Sequence, residues 1–194
     1  MIKVVSVVLY QPVLQVLTGS KKGRRLKVPH GRTIRPTTSR IKKSIFDTLG
    51  DISELSVLDI FAGSGGLGIE SLSRGAAHVT FIEKNPLVSK LLRGNVESCG
   101  FLHISTFICN DYEKAVRDLI KKGSRFDIVF IDPPYNLYAR KAVIDFINLV
   151  TECIGADSVI VIEHEHQLTA LAEGFKTITR SFGGTKVSYF RRGS

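Results

Sequence analysis

Short apolar runs alternate with longer amphipathic stretches over most of this chain. Strand-like runs fall at 56–61, 78–82, 104–109, 126–131 and 158–163, and helical periodicity at about 66–74, 86–99, 112–122, 138–153 and 166–173. Strands separated by helical crossovers predict a parallel, doubly wound sheet. The rhythm breaks near the end. Phe175–Ser181 and Lys186–Phe190 both read as strands, and Gly183-Gly184 between them is a hairpin signal.

The first fifty residues follow another pattern. Val13–Leu17 reads as a strand, Thr18-Gly19-Ser20 as a turn, and Arg25–Val28 as a returning strand. Pro29 to Pro36 is a loop. A helix is predicted from Thr37 or Thr38, as N-cap, to about Leu49, with Ile41, Ile45, Phe46 and Leu49 on one face and Gly50 as its stop. The chain thus divides into an extension, 1–50, and an α/β unit, 51–194. The leading run Ile2–Tyr10 is apolar and β-branched. Pro12 interrupts it, no small-residue cleavage site follows, and it is too short for a membrane span, so it reads as an extra strand or an ill-ordered leader.

Charge sharpens this division. The chain has 194 residues, 27 Lys/Arg and 18 Asp/Glu; residues 1–50 hold 11 of those bases and one acid, Asp47. From Lys21 to Lys43 there are ten bases and no acid. A one-sign block repels itself unless a polyanion is near, which points to nucleic acid as partner. Lys21, Lys22, Arg24, Arg25, Arg32, Arg35 and Arg40 are the candidate contacts. Aromatic residues near the block are few, so backbone charge should outweigh base stacking. Cys99, Cys109 and Cys153 form no C-x-x-C pair and read as reduced core residues of a cytoplasmic protein, with no disulfide frame and no metal site.

Two strand ends carry the candidate chemistry. After the strand Val57–Phe61 comes Ala62-Gly63-Ser64-Gly65-Gly66-Leu67-Gly68, a Gly-x-Gly-x-x-Gly turn in which backbone can approach a nucleoside ligand closely. Glu83 ends the next strand, 20 residues after Gly63, where a carboxylate can accept both ribose hydroxyls. This fingerprint also suits a dinucleotide, hence an NAD-linked oxidoreductase. Asp59 favours a sulfonium cofactor, S-adenosylmethionine, because it can meet that molecule's cationic amino-acid end directly or through water. The turn lacks another basic residue for a pyrophosphate. Asn110-Asp111 follows the third strand. Asp111 suits the exocyclic amine of an adenine ring, and is equally a helix N-cap for the segment from Tyr112.

The second strand end reads Asp132-Pro133-Pro134-Tyr135. The Asp132 carboxylate and the Pro133 carbonyl can accept the two hydrogens of an exocyclic base amine. Paired prolines stiffen the loop, and Tyr135 offers a flat face for the base. Pulling the amine toward tetrahedral frees its lone pair for in-line attack on a methyl group. The two strand ends together predict methyl transfer onto a nucleobase, without a metal. Guanine and adenine both present such an amine, so this loop alone leaves them equal. A Rossmann-like class I SAM-dependent methyltransferase fold follows, with a mainly parallel sheet ending in an antiparallel hairpin.

Asp59-Ile60-Phe61-Ala62-Gly63-Ser64-Gly65 resembles motif I of the amino-methyltransferases, and Asp132–Tyr135 their motif IV. Gly19-Ser20-Lys21-Lys22-Gly23-Arg24-Arg25-Leu26, then Ile34-Arg35-Pro36-Thr37-Thr38-Ser39-Arg40 and Ile45-Phe46, resemble the N-terminal signature of the RsmD family. Leu67–Ala76 and Val187-Ser188-Tyr189-Phe190 extend the likeness, which runs from about Leu14 to Arg192. That family methylates the N2 amine of one guanine in small-subunit (16S) ribosomal RNA. The resemblance implies S-adenosylmethionine as cofactor, rRNA within an assembled small subunit as partner, and a monomer; the runner-up is an adenine-N6 methyltransferase on DNA or RNA. Catalysis would fall to Asp132, Pro133, Pro134 and Tyr135. Cofactor binding would fall to Asp59, Phe61, Ala62, Gly63, Gly65, Gly68, Glu83, Lys84, Asn110 and Asp111. RNA contact would center on Arg24, Arg35 and Arg40. Ser39 and Lys43 depart from the acid and the Glu usual in the family, which puts in doubt a fixed ion pair in that helix.

Overall fold

A computed structural model describes residues 14–29, 39–134, 137, 142–165 and 173–192. Helix α1 spans Ser39–Leu49, strand β1 Ser56–Ile60, α2 Gly66–Ser73, β2 His78–Ile82, α3 Pro86–Ser98 and β3 Ser105–Ile108. Then follow α4 Tyr112–Lys121, β4 Phe126–Ile131, helix α5 Val143–Val150, β5 Ile154–His164, β6 Phe175–Phe182 and β7 Thr185–Arg192. The strands form one sheet in the order β3-β2-β1-β4-β5-β7-β6. β1 to β5 run parallel; β7 is antiparallel to both β5 and β6. The chain steps outward from β1 to β2 and β3, then crosses to β4 on the other side. That reversal opens a crevice between the carboxyl ends of β1 and β4, the place where open α/β sheets take their ligands.

Period-two alternation distributes each strand between two apolar layers. Val57, Val79, Phe81, Ile128, Phe130, Val159, Val161, Val187 and Tyr189 join α1, α2 and α3 on one face. Leu58, Ile60, Ile82, Val129, Ile131, Ile160, Ile162 and Phe190 meet α4 and α5 on the other. Burial on both faces explains why the strands read as continuous apolar runs. Among the described residues no helix is long and apolar enough to cross a membrane.

Several expected boundaries shift. β5 begins at Ile154, ahead of the expected 158, because the Ser158 hydroxyl bonds both the Phe126 carbonyl (2.8 Å) and the Gly155 N–H (2.8 Å) and carries the polar stretch onto β4. A register irregularity between Phe126 and Ile128 accompanies it. The helix expected over 138–153 is described only as α5 and a 3-10 turn, Thr151–Cys153. The expected helix at 166–173 lies outside the described residues apart from Glu173, which sits in a turn, and so do the leader, Thr37 and Thr38. Cys99 and Cys153 are buried free thiols, as expected, but Cys109 is exposed, since it follows the last paired residue of β3.

The N-terminal hairpin departs most from expectation. Its arms share a single antiparallel bridge, Gln15 with Arg25, where two paired strands were expected. The arms still exchange backbone hydrogen bonds, Val16 N–H to the Arg24 carbonyl, Gly23 N–H to the Val16 carbonyl and Leu26 N–H to the Leu14 carbonyl, and α2 takes those of the turn end. Leu17 and Thr18 donate their N–H groups to the Glu70 carboxylate, and Ser20 and Lys21 donate theirs to the Ser73 carbonyl and hydroxyl. Gly19 is required there: its φ is +83°, and a Cβ would stand 1.8 Å from the Ser73 carbonyl oxygen. The hairpin is therefore docked on the sheet's helical layer. Val16 and Leu26 enter the same apolar cluster as α1 and the central strands.

Candidate active site

The register aligns the strand ends. Ile60 lies beside Ile82 on one side and Ile131 on the other, and Ile131 beside Ile162. The next residues along β2, β4 and β5 are Glu83, Asp132 and Glu163, at one level, roughly 4.8 Å apart between adjacent strands. Alternation puts all three on the face of Val79, Phe130 and Val161, and Asp59 on that same face of β1. The carboxyl end of the sheet thus presents four acids toward α2 and α3. Glu163, buried at 3% exposure, was not among the sequence candidates. Its signal was there: it continues the Val159, Val161 alternation with an acid in a core position.

Asp59 is the most confined of the four. It is buried, and its Oδ2 accepts the Gly68 N–H at 2.9 Å. Burial pushes the carboxyl up to about 7; the Gly68 N–H pulls against this, while Asp132 and Glu83 add repulsion. In this position Asp59 anchors the glycine turn as well as lining the crevice. Gly68 is needed for the approach, because a Cβ there would lie 2.2 Å from the Phe81 ring.

The turn itself is built by left-handed backbone. Gly63 has φ +55° and Gly65 φ +88°, and Phe61, not a glycine, has φ +65°. That unusual φ swings the Phe61 ring out of strand alternation and against Tyr112 (4.7 Å between centroids) and Phe146 (6.2 Å). Phe61 therefore packs on the α4 and α5 side, away from Asp59 and Glu83 on the other face. Ala62 donates its N–H to the Ile82 carbonyl at 3.0 Å, and Gly65 its N–H to Ala62 at 2.8 Å. Glu83 reaches back across the turn: Oε2 accepts the Gly63 N–H at 3.1 Å and Oε1 the Asn85 N–H at 2.8 Å. Each oxygen retains a second lone pair, the capacity a ribose diol requires.

Asp111 takes one of the two roles its position suits, that of helix N-cap. Its Oδ1 accepts the Glu113 N–H at 3.1 Å as the N-cap of α4, and Lys84 Nζ lies 3.2 Å from Oδ2. Asn110 Oδ1 accepts the Asp111 N–H at 2.8 Å. Both side chains of the Lys84–Asp111 pair are solvent-exposed, so the pair borders the crevice without closing it. Asp132 is half-buried and Pro133 buried, while Pro134 is exposed and its carbonyl accepts the Leu137 N–H at 2.9 Å. Tyr135 lies outside the described residues, as do Arg32 and Arg35.

The other basic candidates lie along one side of this site. Lys22, Arg24, Arg25 and Arg40 are exposed, and Lys21 sits over the Phe101 ring at 5.8 Å. The hairpin runs lengthwise beside α2. Lys27 is bonded through Asn95 to the Ser64 carbonyl at the glycine-turn end, whereas Ser20 and Lys21 are bonded to Ser73 at the far end. An eight-residue helix separates those levels by about 12 Å. Lys21 and Lys22 are thus on the back of the molecule. Lys42, one of the ten bases of the one-sign block, is buried: its Nζ donates to the Gln15 carbonyl at 2.6 Å and pairs with Glu70 at 3.1 Å. Burial holds the Lys42 ammonium below its ordinary range, opposed by Glu70.

The donor set fits a nucleoside cofactor with a cationic arm. A glycine-built turn leaves space beside Gly63, a two-oxygen acceptor stands at Glu83, and acids surround the crevice. A pyrophosphate would meet the same acids unfavourably. Fold and site together define a Rossmann-like protein of the class I SAM-dependent methyltransferase fold, as expected. A family model described as Conserved hypothetical protein 95 matches residues 14–191. YlbH of Bacillus subtilis (strain 168) is 33% identical over 183 residues, which span 92% of this chain and 99% of that one. Ribosomal RNA small subunit methyltransferase D of Escherichia coli (strain K12) is 35% identical over 155 residues, 78% of this chain and 75% of that one. The solved structure of Escherichia coli yhhF matches at a TM-score of 0.81 and 27% identity, covering 94% of this chain and 99% of that one. The chain belongs to this family, the RsmD family.

Proposed function

We propose that this protein transfers a methyl group from S-adenosylmethionine to the exocyclic N2 amine of a guanine in small-subunit ribosomal RNA. The observation that carries the reading is the row of Asp59, Glu83, Asp132 and Glu163 at the carboxyl end of the sheet, beside a glycine turn. Four acids on one face suit a cationic cofactor. Membership of the RsmD family supports the RNA substrate.

In this reading Glu83 accepts the ribose hydroxyls, Asp59 faces the cationic amino-acid end, and Asp111 borders the adenine. When bound, the cofactor supplies an electrophilic methyl group. The protein's own part is to orient the base. The Asp132 carboxylate and Pro133 carbonyl accept the two hydrogens of the amine, and the rigid Pro133-Pro134 pair keeps them aimed. Accepting both hydrogens raises electron density on nitrogen; once the methyl group has passed from sulfur to nitrogen, with S-adenosylhomocysteine as the other product, the surplus proton leaves to Asp132 or to water. Tyr135 would stack on the base. Arg24, Arg25, Arg35 and Arg40, with Lys21, Lys22 and Arg32, would neutralise RNA phosphates.

The test is nucleoside mass spectrometry after incubating the protein with S-adenosylmethionine and small ribosomal subunits lacking the modification. N2-methylguanosine is the expected product. N6-methyladenosine in its place, or no transfer to rRNA, would reject the assignment.

A further inference from the structure

We infer that the outer face of the β6–β7 hairpin is a second docking surface for the phosphate backbone of the same RNA, separate from the N-terminal extension; this rests on the substrate class proposed above. The charge of the α/β unit is uneven. Phe175–Arg192 contains five bases, Lys176, Arg180, Lys186, Arg191 and Arg192, and no acid. Among the described residues the sheet order makes β6 an edge strand. Its register then concentrates the charge: Lys176 lies directly opposite Arg191, and Arg180 opposite Val187. Val187 belongs to the apolar layer that holds α1, and alternation puts Lys176, Ile178, Arg180 and Arg191 on that same side of the sheet. All four are exposed.

Like charges directly opposite one another destabilise a strand pair. Among the described residues no ion pair relieves these three. The other two bases of the hairpin are engaged differently, Lys186 on the Glu165 carbonyl at 3.2 Å and Arg192 on the Thr151 carbonyl at 3.2 Å. What remains is a strip of guanidinium and ammonium groups. Lys176 and Arg180 are four residues apart, roughly 13 Å along the strand. Its upper end, Arg180, reaches the level of Glu163 at the rim of the crevice, because Val187 lies between them in register on β7. A polyanion is the occupant that this charge pattern favours. The crevice is then flanked by two basic tracks, the extension on one side and the hairpin on the other, so that an RNA strand is held on both sides of the base being modified. Edge strands also use Lys to deter self-pairing, and the experiment separates the two roles.

The test compares the full-length protein with a Lys176→Gln, Arg180→Gln, Arg191→Gln variant and with a control variant, Lys114→Gln, Lys121→Gln, Lys122→Gln, on α4 and its C-cap across the sheet. Affinity for small ribosomal subunits is measured against salt, alongside S-adenosylmethionine affinity, thermal midpoint and elution volume. For the hairpin variant the log–log salt slope should fall by about three, one per phosphate contact removed, and KM for the particle should rise about tenfold or more, with cofactor affinity unchanged and the thermal midpoint no lower. The control should keep the wild-type slope. An unchanged slope in a folded hairpin variant overturns the inference, and if that variant also self-associates, edge protection is the role of these charges. Failure of the wild-type protein to methylate rRNA would sink the proposed function instead, a result read before any variant is compared.

Discussion

Asp59 shows how a single side chain can serve both the fold and the ligand. Its carboxyl is pushed up to about 7 mainly by burial, while in the unfolded chain it titrates near the ordinary value of about 3.9. Between those values the folded state binds the extra proton. Stability therefore falls as pH rises from about 4 to about 7, then levels off. Asp59→Asn, which keeps an oxygen for the Gly68 N–H, should flatten that part of the profile in urea titrations run across pH; an equally steep profile would mean the carboxyl is not the group responsible. Asp132 makes a separate prediction. Asp132→Ala should lower turnover by about a hundredfold or more, the scale of losing one aimed polar contact to the reacting group, while calorimetric S-adenosylmethionine affinity stays near wild type. Loss of cofactor binding together with turnover would move Asp132 out of the base-holding role.

The attachment of the N-terminal hairpin to α2 depends on one buried acid. Glu70 is fully buried and receives two backbone N–H groups of the hairpin, the Lys42 ammonium at 3.1 Å and the Arg74 guanidinium at 3.0 Å. Removing its charge leaves Lys42 buried without its counter-ion. Glu70→Gln should cost about 3–5 kcal/mol in equilibrium unfolding, far above the effect of an exposed pair such as Lys43–Asp47. A cost within about 0.5 kcal/mol, the range for ordinary surface changes, would show that the Glu70 charge does not hold the hairpin. Asn95 links the same hairpin to the cofactor turn through Lys27 and Ser64. The basic hairpin and the glycine turn thus share a buried side chain on α3.

Across the protein, charge is divided by function: acids line the crevice at the strand ends, and exposed bases surround it. Exchanging Arg24, Arg25 and Arg40 for Gln should flatten the salt dependence of RNA binding by about three in log–log slope and leave stability nearly unaltered, since all three are exposed. Filter binding across a salt series checks this, and an unaltered slope would clear the extension of RNA contact. The position of Lys21 and Lys22 at the far end of α2 adds that the RNA must follow the hairpin down the molecule if it is to meet them too.

The strands, the glycine turn and the Asp-Pro-Pro loop were legible in the sequence because each is a local signal: a continuous apolar run, a run of small residues, a pair of rigid prolines. The basic extension was legible for the same reason, as charge is additive along a chain. Burial of Lys42 against Glu70, the reduction of the N-terminal hairpin to one bridge, and the outward position of Cys109 were not. Each depends on what lies opposite in space, and α2 accepts the backbone donors of Leu17, Thr18, Ser20 and Lys21 where the hairpin turns. The gathering of Asp59, Glu83, Asp132 and Glu163 also awaited the sheet, since only the pairing register sets four acids from four separate strands at one end and on one face.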